Sequence, residues 1–324
     1  MNVLVTGGAG YIGSATVEYL LNHEHKVSIV DSLATGHREA VDRRADFIEM
    51  DLSERDRLIH FVMKGSFEAI IHFAAYSLVG ESMQNPSKYF INNDACSINL
   101  LDAAVAGKIK SFVFSSTAAT YGLPEESPIK ETTPQLPINP YGESKLFLEK
   151  MLYWYNQIHG MKYTALRYFN AAGASTNFGE DHSPETHLVP IVLQAAMGQR
   201  KNVAIFGDDY NTKDGTCIRD YIHIEDLAQA HMLALTAPRS GHYNLGTGSG
   251  FSVKEVIEVA REVTGKKIEV SVSTRRSGDP AILIADSTLA RKELNWNPLH
   301  ENIREIINSA WEWKKKFPTG YNDK

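Results

Sequence analysis

The chain has 324 residues, 43% hydrophobic and 22% charged, a balance that excludes a disordered protein and is long enough for two packed lobes. A net charge of −6 argues against a nucleic-acid or anionic-membrane surface. Cys96 and Cys217 are too few for a disulfide framework or a thiolate metal site and suit a reducing cytosol, so a cytoplasmic location is expected.

In chain order, Asn2–Thr6 reads as an apolar strand that runs straight into Thr6-Gly7-Gly8-Ala9-Gly10-Tyr11-Ile12-Gly13 and a helix over Tyr11–Asn22. No basic start precedes it, so no signal peptide is expected, and no later stretch has the length to span a bilayer. Glycines at 7, 10 and 13 allow a tight turn, close backbone approach to a pyrophosphate and close helix–strand packing. The helix start offers free N–H groups to phosphate. A second strand, Lys26–Asp31, ends on a carboxylate placed to accept hydrogen bonds from an adenosine ribose and to repel a 2′-phosphate, which favours NAD over NADP. Strands at Asp46–Glu49, Ala69–His72, Lys110–Ser115 and Tyr163–Arg167 alternate with helices at Glu54–Met63, Pro86–Ala106 and Tyr141–His159. That rhythm predicts an α/β fold built on a Rossmann-like, doubly wound parallel sheet. Asp51-Leu52 follow the third strand, where a carboxylate meets an adenine amino group, and His72-Phe73-Ala74-Ala75 ends the fourth on small residues against which a cofactor can lie. Ser115-Ser116-Thr117 ends the fifth at the carboxyl edge, where open α/β sheets bind ligands.

Tyr141-Gly142-Glu143-Ser144-Lys145 carries the chemistry. A Tyr and a Lys four apart share one helix face, and an ammonium beside a phenol is expected to lower the tyrosine pKa and make it a general base. Leu148, Leu152 and Tyr155 continue this stripe, while Phe147, Met151, Trp154 and Ile158 form a second one that needs its own partner. A second lobe could cover it; a homodimer is the expected alternative. Past Arg167 the rhythm loosens into loops and short elements, as in a smaller α/β substrate lobe. The expected division is 1–169 for the dinucleotide and 170–324 for the substrate, with a segment near 213–236 returning to the first unit. No metal is expected: His223 and His231 lack a ligand spacing, and His23 and His25 fall in a turn.

The motifs TGGAGYIG, HFAA, SSTAATYG, YGESK, RYFNAAG and RDYIHIEDLA, in this order from Met1 to about Trp313, resemble the extended short-chain dehydrogenase/reductase family, and most closely its UDP-hexose 4-epimerases. The resemblance implies that Thr117, Tyr141 and Lys145 are catalytic. It implies that Gly7, Gly10, Tyr11, Ile12, Gly13, Asp31, Asp51, Leu52, Phe73, Ala74, Asn92, Ser115 and Tyr168, with Tyr141 and Lys145, line NAD. A UDP-sugar would meet Thr117, Asn170, His187, Leu188, Ala204, Phe206, Arg219, Tyr221, Arg276, Asp279 and Leu283. The implied reaction inverts C4 of a UDP-hexose by transient hydride transfer through a 4-keto sugar. A 4,6-dehydratase would need an acid and a base directly after Thr117, where this chain has Ala118-Ala119, and a UDP-glucuronate decarboxylase tends to carry a Glu in that run. A non-catalytic NAD-binding scaffold would not need Thr117, Tyr141 and Lys145 together. Three departures stand out: Ser77 where many members carry Lys, Thr186-His187 where an Asn pair is common, and Leu283 where some epimerases place a Tyr against the sugar's C2 side. The last implies room for an N-acetylhexosamine.

Overall fold

The computed structural model describes residues 1–276 and 278–321. The first unit runs β1 (Asn2–Thr6), α1 (Tyr11–Asn22), β2 (Lys26–Asp31), β3 (Asp46–Glu49), α2 (Arg55–Lys64), β4 (Ala69–His72), α3 (Val79–Ser82), α4 (Pro86–Tyr89), α5 (Cys96–Ala106), β5 (Ser111–Thr117), α6 (Pro140–His159) and β6 (Lys162–Tyr168). Then follow β7 (Asn170–Ala172), α7 (Leu188–Ala196), β8 (Val203–Phe206), β9 (Ile218–His223), α8 (Ile224–Ala234), β10 (Gly241–Leu245), β11 (Gly250–Ser252), α9 (Val253–Thr264), β12 (Val270–Ser273), β13 (Ile282–Leu283), α10 (Thr288–Glu293) and α11 (Ile303–Lys316).

Seven parallel strands form the main sheet in the order β10-β6-β5-β4-β1-β2-β3, the doubly wound arrangement expected. The winding direction reverses between β1 and β4, which opens a crevice at their carboxyl ends. One face packs Leu4, Ile70, Phe112 and Phe114 against α2, α5 and Leu148 and Leu152 of α6. The other packs Val5, Ile29 and Ile71 against Val17 and Leu20 of α1 and Leu227 and Ala230 of α8. After the first excursion the chain therefore comes back to this sheet twice, with α8 beside α1 and β10 beside β6.

The smaller lobe has β9 at its centre, antiparallel to β11 and parallel to β13 and β7, with the parallel pair β8–β12 beside it. Val192 and Leu193 of α7, Val256 and Ile257 of α9 and Ile306 and Ile307 of α11 fill its core. Asp220 on β9 holds the lobe's turns together: its carboxylate accepts N–H bonds from Thr247 (2.9 Å), Gly248 (3.1 Å) and Ala285 (3.1 Å). No helix among the described residues is long and apolar enough to cross a membrane.

The Pro86–Ala106 segment differs from the single helix expected of it. Phe90–Ala95 winds as a π-turn between α4 and α5. The cause lies outside the segment. Asn93 Oδ1 accepts from Tyr76 N–H (2.9 Å), and its Nδ2 donates to the Tyr76 carbonyl (3.0 Å) and Ser144 Oγ (3.1 Å). One widened turn aims that amide at the loop after β4 and at the start of α6, the kind of place where π-turns serve a site.

Candidate active site

The glycine turn after β1 is shaped by contacts that only glycine tolerates. Gly7 has φ +76°, and a Cβ there would stand 2.5 Å from the Ala74 nitrogen, so the HFAA segment lies directly on the turn. At Gly13 a Cβ would stand 2.1 Å from the Gly7 carbonyl oxygen. Gly10 is different: a Cβ would meet only the Gly7 oxygen at 3.4 Å, and the residue caps α1 with no side chain over the helix end. No side chain caps the start of α1, whose free N–H groups suit a pyrophosphate. Tyr11 donates its hydroxyl to the Gly173 carbonyl (2.7 Å), with Ile12 packed beside it. Asp31 is buried at the end of β2, where Ala9 N–H (3.0 Å) and Leu33 N–H (2.9 Å) each bond one of its oxygens; burial raises its pKa and these bonds oppose the rise. Both oxygens are fixed in place and keep lone pairs for a ribose diol. Asp51 accepts from Ser53 N–H (2.8 Å), Leu52 is buried, and Phe73 packs on His231 at 4.6 Å between ring centres. Asn92 donates to Asn93 Oδ1 (3.1 Å) on the π-turn. The cradle fits an adenine dinucleotide.

Across the crevice, Thr117 ends β5 with its hydroxyl towards the half-buried Tyr141 phenol, whose pKa it lowers. Asn139 caps α6 by accepting from Gly142 N–H (2.8 Å), and Pro140 fills the first turn, so the helix begins exactly where Tyr141 must project. Lys145, one turn on, donates to the Ser115 carbonyl (2.9 Å), with its ammonium 4.9 Å from the Phe114 ring centre and 5.9 Å from that of Tyr141. Ser115 Oγ and Tyr168 hydroxyl are bonded to each other. Burial lowers the Lys145 pKa to about 8, opposed by Asp94 and Glu149. The expectation of a lowered Tyr141 pKa is not met: burial raises it, the Thr117 bond opposes the rise, and the ammonium is turned to Ser115.

Two residues of this site escape a motif reading. Asn93 positions the loop after β4, as described. Asp94, next to it, is buried with Oδ1 lacking a hydrogen-bond partner, and burial raises its pKa to about 7 while Lys145 opposes the rise. The run of three adjacent polar residues Asn92-Asn93-Asp94 in the middle of the predicted helix is the signal that points to both.

The substrate-side residues assemble through strand register. Asn170 on β7 pairs with Tyr221 on β9, and Arg219 on β9 pairs with Leu283 on β13. Asn170 Nδ2 donates to the Asp220 carbonyl (2.9 Å). The Arg219 guanidinium is paired with Asp279, and that of Arg276 lies 4.1 Å above the Phe206 ring at the end of β8, beyond Ala204. Leu283 packs on the cluster of Ala118, Tyr121 and Ile129, which puts this lobe's edge against the residues that follow Thr117. Leu188 opens α7, but His187 just before it is drawn to Glu180 at 2.5 Å. Ser77 is exposed.

A model of the NAD dependent epimerase/dehydratase family matches residues 3–246. The chain belongs to that family. It is 54% identical to the UDP-glucose 4-epimerase of Streptococcus mutans, with all of both chains covered. The structure is similar to that of the UDP-glucose 4-epimerase from Brucella ovis in complex with NAD, at 45% identity and TM-score 0.93 over 96% of this chain and 98% of that one. It is also similar to the UDP-Glc/GlcNAc 4-epimerase of Campylobacter jejuni, at 42% identity and TM-score 0.87 over 97% and 99%. The extended short-chain dehydrogenase/reductase resemblance is thereby borne out, and NAD is the cofactor the family uses.

Proposed function

We propose that this chain is an NAD-dependent isomerase that inverts C4 of a UDP-hexose, interconverting UDP-galactose and UDP-glucose. The observation that carries it is the grouping of Thr117, Tyr141 and Lys145 at the crevice, with Thr117 followed by Ala118-Ala119 rather than by an acid and base. The glycine turn, Asp31, Asp51, Leu52, Phe73, Ala74, Asn92 and Tyr168 hold NAD, which when bound supplies the hydride acceptor and donor that make a transient 4-keto sugar accessible. Thr117 holds the sugar O4 and Tyr141 takes its proton, returning it when the carbonyl is reduced on the opposite face. Tyr141 does so as the phenolate, its own proton having first gone to solvent, and the positive charge of Lys145 beside it stabilises that negative oxygen. Arg219 and Arg276, whose guanidinium forks match phosphate oxygens, hold the diphosphate, and Phe206 backs the uracil. Binding energy gathered there keeps the sugar in the site while its other face turns to the cofactor. Incubation with UDP-galactose should yield UDP-glucose with no added NAD; release of a 4-keto-6-deoxy sugar instead would place the chain among the dehydratases.

Leu283 sets substrate breadth in this reading. A Leu leaves more volume beside C2 than a Tyr, enough to favour a 2-acetamido group, and the chain also converts UDP-GalNAc to UDP-GlcNAc. Leu283→Tyr should suppress that reaction tenfold or more, roughly the discrimination a few lost methylene-sized spaces produce, while sparing UDP-galactose. Equal loss of both reactions, or no N-acetyl turnover by the unmodified chain, would remove Leu283 as the gate.

The chain acts as a homodimer. Phe147, Trp154 and Ile158 of α6 are exposed, as are Ile91 on the π-turn and Ile98 on α5, and Trp154 keeps 59% of its surface. The smaller lobe does not cover this stripe, so a second copy with the same stripe is the matching occupant. Sedimentation should find particles of two chains. Its buried, unpaired cysteines suit the reducing cytoplasm as its location.

A further inference from the structure

Between β7 and α7, the loop Glu180-Asp181-His182-Ser183-Pro184-Glu185-Thr186-His187 brings four ligand-type side chains to one point. Glu180 Oε1 lies 3.2 Å from His182 Nδ1 and 2.5 Å from His187 Nδ1. Glu185 stands 3.9 Å from His182 Nδ1 through Oε2 and 3.6 Å from His187 Nδ1 through Oε1. One donor atom from each residue fits within a 4.8 Å circle of the others. A tetrahedral ion with N and O bonds near 2.0–2.1 Å separates its ligands by about 3.3 Å, the middle of this set of spacings.

The hydrogen bond from His187 to Glu180 accounts for only one pair of this group. Both carboxylates are buried, with side-chain exposures of 7% for Glu180 and 3% for Glu185. Two imidazoles turn the same ring atom, Nδ1, towards a single Glu180 oxygen, and His182 Nδ1 is buried with no hydrogen-bond partner. A cation at the centre would take the place of the proton shared by His187 and Glu180 and would draw on all four residues, offsetting the Glu185 charge as well as that of Glu180. The support of the ligands is already in place: Thr186 and His187 N–H groups donate to Glu185 Oε1 at 2.7 and 2.8 Å, which fixes that carboxylate and leaves Oε2 to the centre. The other His/Glu group, His223 with Glu225 and His300, fails this comparison because the His223 ring nitrogens are taken by Ser309 (2.9 Å) and Glu225 N–H (3.1 Å).

We propose that Glu180, His182, Glu185 and His187 form a zinc-class divalent cation site. Two imidazoles and two carboxylates select zinc over magnesium or calcium, which prefer all-oxygen shells. Four protein ligands leave no open position, so the ion is structural and takes no part in the chemistry at Tyr141. Its place explains its use. The His182 ring meets the Tyr11 ring edge-on at 6.2 Å, and Tyr11 begins α1 and bonds the Gly173 carbonyl. The ion ties the loop entering α7 to the wall of the dinucleotide turn. The expectation of no metal considered His23, His25, His223 and His231 and passed over this E-x-H-x-x-E-x-H run.

The full-length protein, stripped with a strong chelator and dialysed, should take up one zinc per chain in calorimetry. Its thermal midpoint should rise by several degrees with micromolar zinc and not with millimolar magnesium or calcium. In His182→Gln the zinc-dependent rise should disappear and affinity should fall at least tenfold. No zinc uptake by the stripped wild-type protein overturns the site, whether or not the variant folds. Equal zinc affinity in wild type and a folded His182→Gln overturns it as well.

Discussion

Tyr141→Phe should cut turnover at least about 100-fold, the usual cost of losing a general base, while the protein keeps its nicotinamide. The ring of Phe occupies the same partly buried place, and the substitution deletes only the hydroxyl that faces Thr117. Burial raises the Tyr141 pKa, so ionising this phenol needs a positive charge nearby, and the Lys145 ammonium lies 5.9 Å from its ring centre. With the Lys145 pKa pulled down to about 8, kcat/KM should decline on the alkaline side as the ammonium loses its proton. Lys145→Met should lose that limb and shift the optimum upward, since nothing then helps the phenol ionise. Near-normal turnover in Tyr141→Phe would end the assignment, and an unchanged pH profile in Lys145→Met would leave Lys145 only a positioning role.

The second large effect is on stability and lies beneath the same helix. Tyr141, Lys145 and Glu149 occupy successive turns of α6, and Glu149 is locked to Arg167 on β6 by bonds of 2.9 and 2.6 Å, each side chain 2% exposed. Ser116 Oγ (2.5 Å) and Gln135 (3.1 Å) also donate to the carboxylate, His242 Nε2 lies 3.5 Å from it, and Arg167 also donates to the Tyr121 hydroxyl (2.8 Å). Burial raises the Glu149 pKa, but the hydrogen bonds and charge of Arg167 outweigh it and the net shift is downward. Arg167→Met strips the carboxylate of its partner and should cost about 3–5 kcal/mol at neutral pH. A lowered folded-state pKa stabilises above the unfolded value and is lost as pH falls through the folded one. The gap between wild type and variant should therefore narrow towards acid. Arg167→Met/Glu149→Met should recover much of the loss; a double variant no better than the single would show that the pair is not what anchors α6.

Most of the first unit is readable in one dimension. β1 to β4 fall on the expected residues because each is a short apolar run bounded by a turn or charge, and the α1 and α6 starts carry their own signals in Gly10 and Asn139-Pro140. What the sequence hides depends on distant partners. The π-turn follows from Asn93 reaching Tyr76 and Ser144. The direction of the Tyr141 shift follows from burial, which no i, i+4 spacing reports. The Arg219–Asp279 pairing comes from two segments sixty residues apart in the chain meeting beside β9. The Glu180–His187 ligands were legible as a spacing, but their convergence was not, because the loop carries no periodicity.

The return of α8 and β10 to the main sheet bears on how the protein is made. Val3, Val5, Val17 and Leu20 share one core with Ile222, Leu227, Ala230, Tyr243 and Leu245. A nascent chain that has emerged only to residue 169 would hold six strands, with the outer face of α1 uncovered and β6 left as an open edge. The dinucleotide half cannot finish folding on the ribosome until the centre of the smaller lobe has also been synthesised, so the two halves are one cooperative unit in biosynthesis.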